Sequence, residues 1–358
     1  MSAHLHASLI TSFHTPSTVD ALKRLQRLED RVAADRKIDP AHVFVDAVDL
    51  YCFGRQDPKQ LLPRRPPLAG GQMMKWLSQL RQQDIADIAA HLTRRLRARG
   101  QTRRAACLAT NLPCISCVSS DSRQSPLRRK AIQAVQKLVR LAHALGVGCV
   151  EIVGGANFVR TGRVPSKWET QVGSDCARLR REALLDSLVE LETWIDKHRF
   201  QPPVGLALEL EPGLSYGLNS GRQAVSLLAD LDQRIGHRAQ NVAVNLDLGH
   251  AWLISELREP DLRMYVRDHL IDRIAHAHLS LHVKAAHFAD LRVSEEALDD
   301  HFRPWIDLFS DSQAREDRPR FATATIGIEQ ESAIPQSRAV ESFVTLRGWL
   351  VRNEFLVP

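Results

Sequence analysis

The stretch Val242-Ala-Val-Asn-Leu-Asp-Leu-Gly-His250 decides how this chain folds. An apolar run of strand type ends on a carboxylate, Asp247, and an imidazole, His250, follows where a strand gives way to a loop. Three other runs in the C-terminal half end the same way. Val204-Gly-Leu-Ala-Leu-Glu-Leu-Glu-Pro212 ends on Glu209 or Glu211, Ile274-Ala-His-Ala-His-Leu-Ser280 on His278, and Ala324-Thr-Ile-Gly-Ile-Glu-Gln-Glu331 on Glu329. Parallel α/β proteins place their chemistry at the carboxyl ends of strands. One polar strand end faces loops and water anyway; four that spell Glu, Asp, His and Glu describe side chains converging on the mouth of a barrel.

The rest of the chain supplies the barrel. Eight strand-like runs can be placed, at Ala7–Phe13, His42–Asp49, Ala105–Asn111, Gly148–Gly154, Val204–Leu210, Asn241–Asp247, Ile274–Ser280 and Thr323–Glu329. Helical patterns lie between them: Ser17–Asp35, Met73–Arg99, Ser125–Leu145, Glu182–His198 and Gly221–Ile235. Strict alternation of strand and helix implies a parallel sheet, and eight units close into a (β/α)8 TIM barrel. A doubly wound open sheet is the competing α/β architecture, but the chain has no glycine-rich G-x-G-x-x-G turn. Successive strand residues face opposite sides. With Glu209, Asp247 and Glu329 pointing inward, so do Gly205, Ala207, Ala243, Asn245, Thr325 and Gly327, while Leu206, Leu208, Val242, Val244, Leu246, Ile326 and Ile328 face the helices. Small residues inside and branched ones outside suit a crowded barrel.

At 358 residues and 44% hydrophobic content the chain can bury a large core, and no linker divides it. The expected organisation is therefore one barrel domain over 1–358, with loop insertions near 54–72 and 157–172. No apolar run approaches the length of a membrane span, and the N-terminus lacks the basic start and apolar stretch of a secretory signal, so a cytoplasmic location is expected. Cys114 and Cys117 have redox or zinc spacing but no second cysteine or histidine pair to complete a structural zinc site, which favours two loop cysteines. Residues 1–200 carry a net charge of +13 and residues 201–358 one of −7. A basic half could attract an anionic substrate or nucleic acid, but no zinc finger, RNA-binding sheet motif or aromatic-interleaved basic stripe supports nucleic acid.

Carboxylates with one imidazole form a hard-oxygen environment suited to Mg²⁺, Mn²⁺, Co²⁺ or Zn²⁺. Glu209 and Glu329 terminate their apolar runs and are preferred over Glu211 and Glu331; His278 is preferred over His276, which would point inward one layer deeper as a core histidine. His250 lies just above Asp247 as a substrate contact, an outer partner or a ligand. His282, His287 and Asp290 follow the seventh strand and could reach the site, as could Arg64, Arg160 and Arg163, which would hold an anionic group; Glu151, inside the fourth strand, is assigned a structural role.

The Glu-Leu-Glu-Pro-Gly, Asp-Leu-Gly-His-Ala, His-Leu-Ser and terminal Ile-Glu segments, with the helix-to-strand passage from Arg129 to Gly155, resemble the xylose isomerase-like TIM-barrel superfamily over roughly residues 105–331. It includes sugar phosphate isomerases and epimerases, dehydratases and the endonuclease IV group. The resemblance implies one divalent ion held by Glu209, Asp247, His278 and Glu329, a substrate contact at His250, and the two glutamates as an acid/base pair. The implied activity is isomerisation or epimerisation of a small sugar, sugar phosphate or related hydroxy-carbonyl compound. A metal-dependent lyase or hydrolase (dehydratase or endonuclease IV-like), or a non-catalytic barrel, is the alternative, and a homo-oligomer stays open. An endonuclease IV-type site needs a further histidine before the glycine turn after the fourth strand, where this chain has Val153.

Overall fold

The computed structural model describes residues 4–11, 17–52, 57–62, 73–98, 100–110, 115, 126–153, 174–212, 218–281, 292–329 and 337–356. Eight strands form one sheet: β1 (His6–Ile10), β2 (Ala47–Tyr51), β3 (Arg104–Thr110), β4 (Cys149–Val153), β5 (Gly205–Glu209), β6 (Val242–Asp247), β7 (Ile274–Leu279) and β8 (Thr325–Ile328). Every neighbouring pair is parallel, and β1 pairs with both β2 and β8, which closes the barrel. Helices such as Thr18–Arg36, Pro126–Leu145, Gly221–Ile235 and Ser337–Arg352 fill the connections and the outer ring. Among the described residues no helix is long and apolar enough to cross a membrane.

Local chemistry explains the helix limits. The Ser17 side chain accepts the Asp20 N–H and starts the first helix, the end at which a short side-chain oxygen satisfies an orphan donor. The helix Pro126–Leu145 buries Ala131, Ile132, Ala134, Val135, Leu138, Val139, Leu141 and Ala142, the three- and four-residue spacing of one face. Gly146 follows with φ of 71°, the left-handed turn that glycine makes at least cost.

Two apolar compartments result. Leu206, Leu208, Val242, Val244, Leu246, Ile326 and Ile328 belong to the large cluster shared with the helix ring. Cys107, Cys149, Ala207, Ala243, Ala275 and Phe321 form a second, small cluster inside the barrel. The Phe321 ring, from the segment before β8, lies against Gly205, where a β-carbon would run into it. It plugs the amino-terminal end of the barrel and leaves the carboxyl-terminal end to polar groups. Glu29 and Arg103 tie the outer helix to the strand layer in a buried two-pronged pair of 2.6 and 2.7 Å, and each also bonds the Val45 backbone.

The helix expected over Glu182–His198 begins earlier, at Ser174, and the elements depart further from the sequence expectations in two places. The strand expected over His42–Asp49 is preceded by a 3-10 turn at Pro40–Val43, because the Asp39 side chain accepts the Ala41 N–H; the strand itself runs Ala47–Tyr51 and carries Asp49 in its interior. The helix expected over Met73–Arg99 is two helices, Met73–Ser78 and Gln82–Arg95, followed by a hairpin of Arg97–Ala98 with Gln101–Thr102. Asp84 accepts the Arg81 N–H at 2.8 Å and opens the second helix. Cys114 and Cys117 lie outside the described residues, as do most of 54–72 and all of 157–172.

Candidate metal centre

β5 ends on Glu209, β6 on Asp247, β7 carries His278 one residue from its end, and Glu329 follows the last residue of β8. The barrel brings these four together: one donor atom from each lies within 4.8 Å of every other. Glu209, Asp247 and His278 are buried, and the Glu329 side chain is 15% exposed. His278 enters the cluster through Nδ1, which is 3.9 Å from Glu209 Oε1 and 3.7 Å from Glu329 Oε2.

The loop after β6 explains the Asp-Leu-Gly-His spacing. Asp247 caps the helix Leu248–Leu257 by accepting the His250 N–H at 2.8 Å, and the Ser280 hydroxyl lies 2.9 and 3.0 Å from its two oxygens. A β-carbon at Gly249 would collide with the Ser280 backbone carbonyl, so only glycine lets the helix start approach β7 this closely. The turn thereby carries His250 over the site. Its Nδ1 is 3.2 Å from the Leu210 carbonyl, 3.7 Å from Glu209 Oε1 and 3.9 Å from Glu211 Oε2. Glu211 is buried beside this imidazole and is not in the four-residue cluster.

Two groups that sequence reasoning did not place in the site complete the interior. Glu151, assigned a structural role, is buried on β4 and hydrogen-bonded to Glu209. Burial, then repulsion from Glu211, Asp49 and Asp247, partly offset by that bond, pushes its carboxyl up to about 8. Glu209 is itself raised well above the carboxylate range, by burial and then by Glu151, Glu211, Glu329 and Asp247. Asp49 on β2 was not expected in the site. It accepts from the Ser8 hydroxyl at 2.8 Å, lies 3.2 Å from His276 Nε2 and 3.9 Å from His278 Nε2. Its pKa is lowered even though burial opposes this, because His276, His278 and Ser8 outweigh burial. The available signal was a carboxylate inside an apolar run, in Ala47-Val-Asp-Leu-Tyr51 and in Cys149-Val-Glu-Ile-Val153. His276 sits one layer deeper, with Nδ1 2.6 Å from the Thr323 hydroxyl.

The donor set fits a divalent cation. His278 is held neutral, its pKa pushed down to about 3 by burial and then by His276, which keeps a ring lone pair available. Each neighbouring side chain that raises the Glu209 pKa is a carboxylate, and crowded buried carboxylates ionise together only with a compensating positive charge. His282, His287, Asp290, Glu331, Arg64, Arg160 and Arg163 lie outside the described residues.

Residues 45–309 match the family described as xylose isomerase-like TIM barrel. No curated protein matches the sequence. Among solved structures the chain is similar to a putative xylose isomerase from Rhodospirillum rubrum, at 15% identity and a TM-score of 0.56, covering 99% of this chain and 100% of that one. It is similar to the 3-keto-D-glucoside 4-epimerase YcjR from E. coli, at 12% identity and a TM-score of 0.54, covering 96% and 99%. The IOLI protein with a binding zinc atom superposes at 12% identity and a TM-score of 0.55, covering 99% and 100%. At these identities the superpositions show the fold. The family match spans most of the chain, including Glu209, Asp247 and His278, and with the closed barrel it establishes that this protein belongs to the xylose isomerase-like TIM barrel family.

Proposed function

We propose that the protein is a divalent-metal-dependent isomerase or epimerase acting on a small sugar, sugar phosphate or related hydroxy-carbonyl compound. The observation that carries this reading is the convergence of Glu209, Asp247, His278 and Glu329 within 4.8 Å at the carboxyl ends of four strands. These four residues would hold the ion. Bound there, it would act as a Lewis acid on a carbonyl and its neighbouring hydroxyl, acidifying the carbon between them. The zinc of the IOLI protein and the epimerase activity of the E. coli relative support both halves of the proposal.

The remaining work falls to the chain's own side chains. Of Glu209 and Glu329, one would remove the carbon-bound proton and the other return it at the same or a neighbouring carbon. Burial and surrounding carboxylates favour the protonated form of Glu209 in the metal-free protein, and a bound ion would displace that proton and leave a carboxylate able to act as a base. Glu329 is the more open of the two and would face the substrate. Asp247 is fixed by the His250 N–H and Ser280, so it serves as an anchor and not as a base. His250, over the mouth of the site, would contact substrate.

The test is metal analysis of purified protein supplied with Mn²⁺, Co²⁺, Mg²⁺ or Zn²⁺, followed by turnover of a panel of ketoses and sugar phosphates in D₂O. We expect about one bound ion per chain, and deuterium at the exchanging carbon of the substrate that reacts. Asp247→Ala should lose the ion. Glu329→Gln should keep much of it while losing about 10²- to 10⁴-fold in turnover. Absence of bound metal after supplementation would end the metal-dependent reading. Wild-type turnover in both Glu209→Gln and Glu329→Gln would end the two-glutamate mechanism.

A further inference from the structure

Below the four-residue cluster the barrel holds a second polar layer that none of the proposed chemistry uses. It consists of Ser8 on β1, Asp49 on β2, His276 on β7 and Thr323 just before β8, with Ser8, Asp49 and His276 fully buried. Its geometry sets the proton positions. An ionised carboxylate only accepts, so His276, 3.2 Å from Asp49 Oδ2, presents Nε2–H to it, and its Nδ1 lies 2.6 Å from the Thr323 hydroxyl. Ser8 donates to the same oxygen at 2.8 Å. Space for that carboxylate comes from β8, where a β-carbon at Gly327 would run into Asp49 Oδ2. The layer is therefore a built carboxylate site, with donors on two sides and a residue without a side chain over it.

His278 joins this layer to the mouth. Its Nε2 points down, 3.9 Å from Asp49 Oδ2, and is buried; among the described residues neither it nor the buried Asp49 Oδ1 has a hydrogen-bond partner. Its Nδ1 points up into the donor cluster and lies 3.1 Å from the Asn245 side-chain amide nitrogen, which can only donate. Both neighbours call for the same tautomer. We infer that Asp49 is a positioning residue for the metal centre: it keeps the His278 proton on Nε2, so that Nδ1 carries the lone pair, which meets the Asn245 amide in the metal-free protein and would turn to the ion when one binds. This inference rests on the metal-dependent reading. A carboxylate behind a ligating imidazole favours the proton on the nitrogen that faces it, here through its charge, since 3.9 Å is longer than a hydrogen bond; losing such a partner weakens metal binding by about 10- to 100-fold.

The experiment compares wild type with Asp49→Asn, which keeps the shape and removes the charge. In metal-free, histidine-¹⁵N-labelled protein, the ring nitrogens of His278 (assigned with His278→Gln) report the tautomer directly. We expect Nε2–H in wild type and loss of that preference in Asp49→Asn. Titration with Co²⁺ and Zn²⁺ by calorimetry should show one equivalent in both proteins, bound about 10- to 100-fold more weakly by the variant. A wild-type His278 protonated on Nδ1 overturns the inference, and that reading does not depend on the variant folding. Unchanged affinity in Asp49→Asn also overturns it. So does a second equivalent in wild type that the variant loses, since Asp49, His276 and His278 would then form an ion site of their own. If wild type binds no metal, the proposed function fails, while the tautomer comparison in metal-free protein still decides the role of Asp49.

Discussion

Glu151 and Glu209 show how much charge this barrel confines. Glu151 has a pKa of about 8 in the folded protein against an ordinary value of 4.5, with burial the largest cause, and Glu209 shifts in the same direction. The folded chain thus retains protons that the unfolded chain has released. Stability from this source is complete below about pH 4.5 and is lost as pH rises through about 8, with a slope of up to about 1.4 kcal/mol per pH unit for each such carboxyl. Denaturant unfolding of metal-free protein should therefore show falling stability from about pH 5 to about pH 8. Glu151→Gln should flatten that slope, and added divalent ion should restore stability at the alkaline end by replacing the protons. A pH profile identical in wild type and Glu151→Gln would mean that the Glu151–Glu209 pair does not share a proton.

The turn from β6 into the helix Leu248–Leu257 is the element on which the site depends most. Asp247 is both strand end and helix cap, Gly249 packs against the Ser280 carbonyl, and Ser280 in turn holds the Asp247 carboxylate. Backbone does not give way as a flexible side chain would. Gly249→Ala should cost about 1–3 kcal/mol by urea unfolding, in the range of overpacked sites. It should also weaken divalent-metal binding by moving Ser280 away from Asp247. A Gly249→Ala protein with native stability and native metal affinity would show that the close approach is dispensable.

Across the barrel, polarity is divided between its two ends. Phe321 closes the amino-terminal end against Cys107, Cys149, Ala207, Ala243 and Ala275, and the carboxylates and imidazoles occupy the other. Replacing the ring leaves a cavity that small strand residues cannot collapse to fill. Phe321→Ala should lower the unfolding free energy by about 3–5 kcal/mol, measured by guanidinium denaturation. The donor cluster lies at the opposite end, so metal stoichiometry in the folded fraction should remain one per chain.

The strand ends at Glu209, Asp247 and His278 and the residue after β8, Glu329, were legible as a set in the linear chain, because apolar runs, their polar stops and side-chain alternation are local properties. The same alternation placed the branched residues of β5, β6 and β8 against the helices. Asp49 and Glu151 escaped that reading for a physical reason. Each lies inside a short strand, Ala47–Tyr51 or Cys149–Val153, whose residues are buried on both faces, so no alternation of apolar and polar residues tells which face looks into the barrel. Phe321 was hidden for a related reason, since it enters the barrel from a connecting segment that has no periodicity to read. Local sequence thus specified the strands, the helices and the residues at the mouth. Closure of the sheet determined which buried carboxylates stand beneath them, because only pairing between strands distant in the chain brings Ser8, Asp49, His276 and Gly327 into one layer.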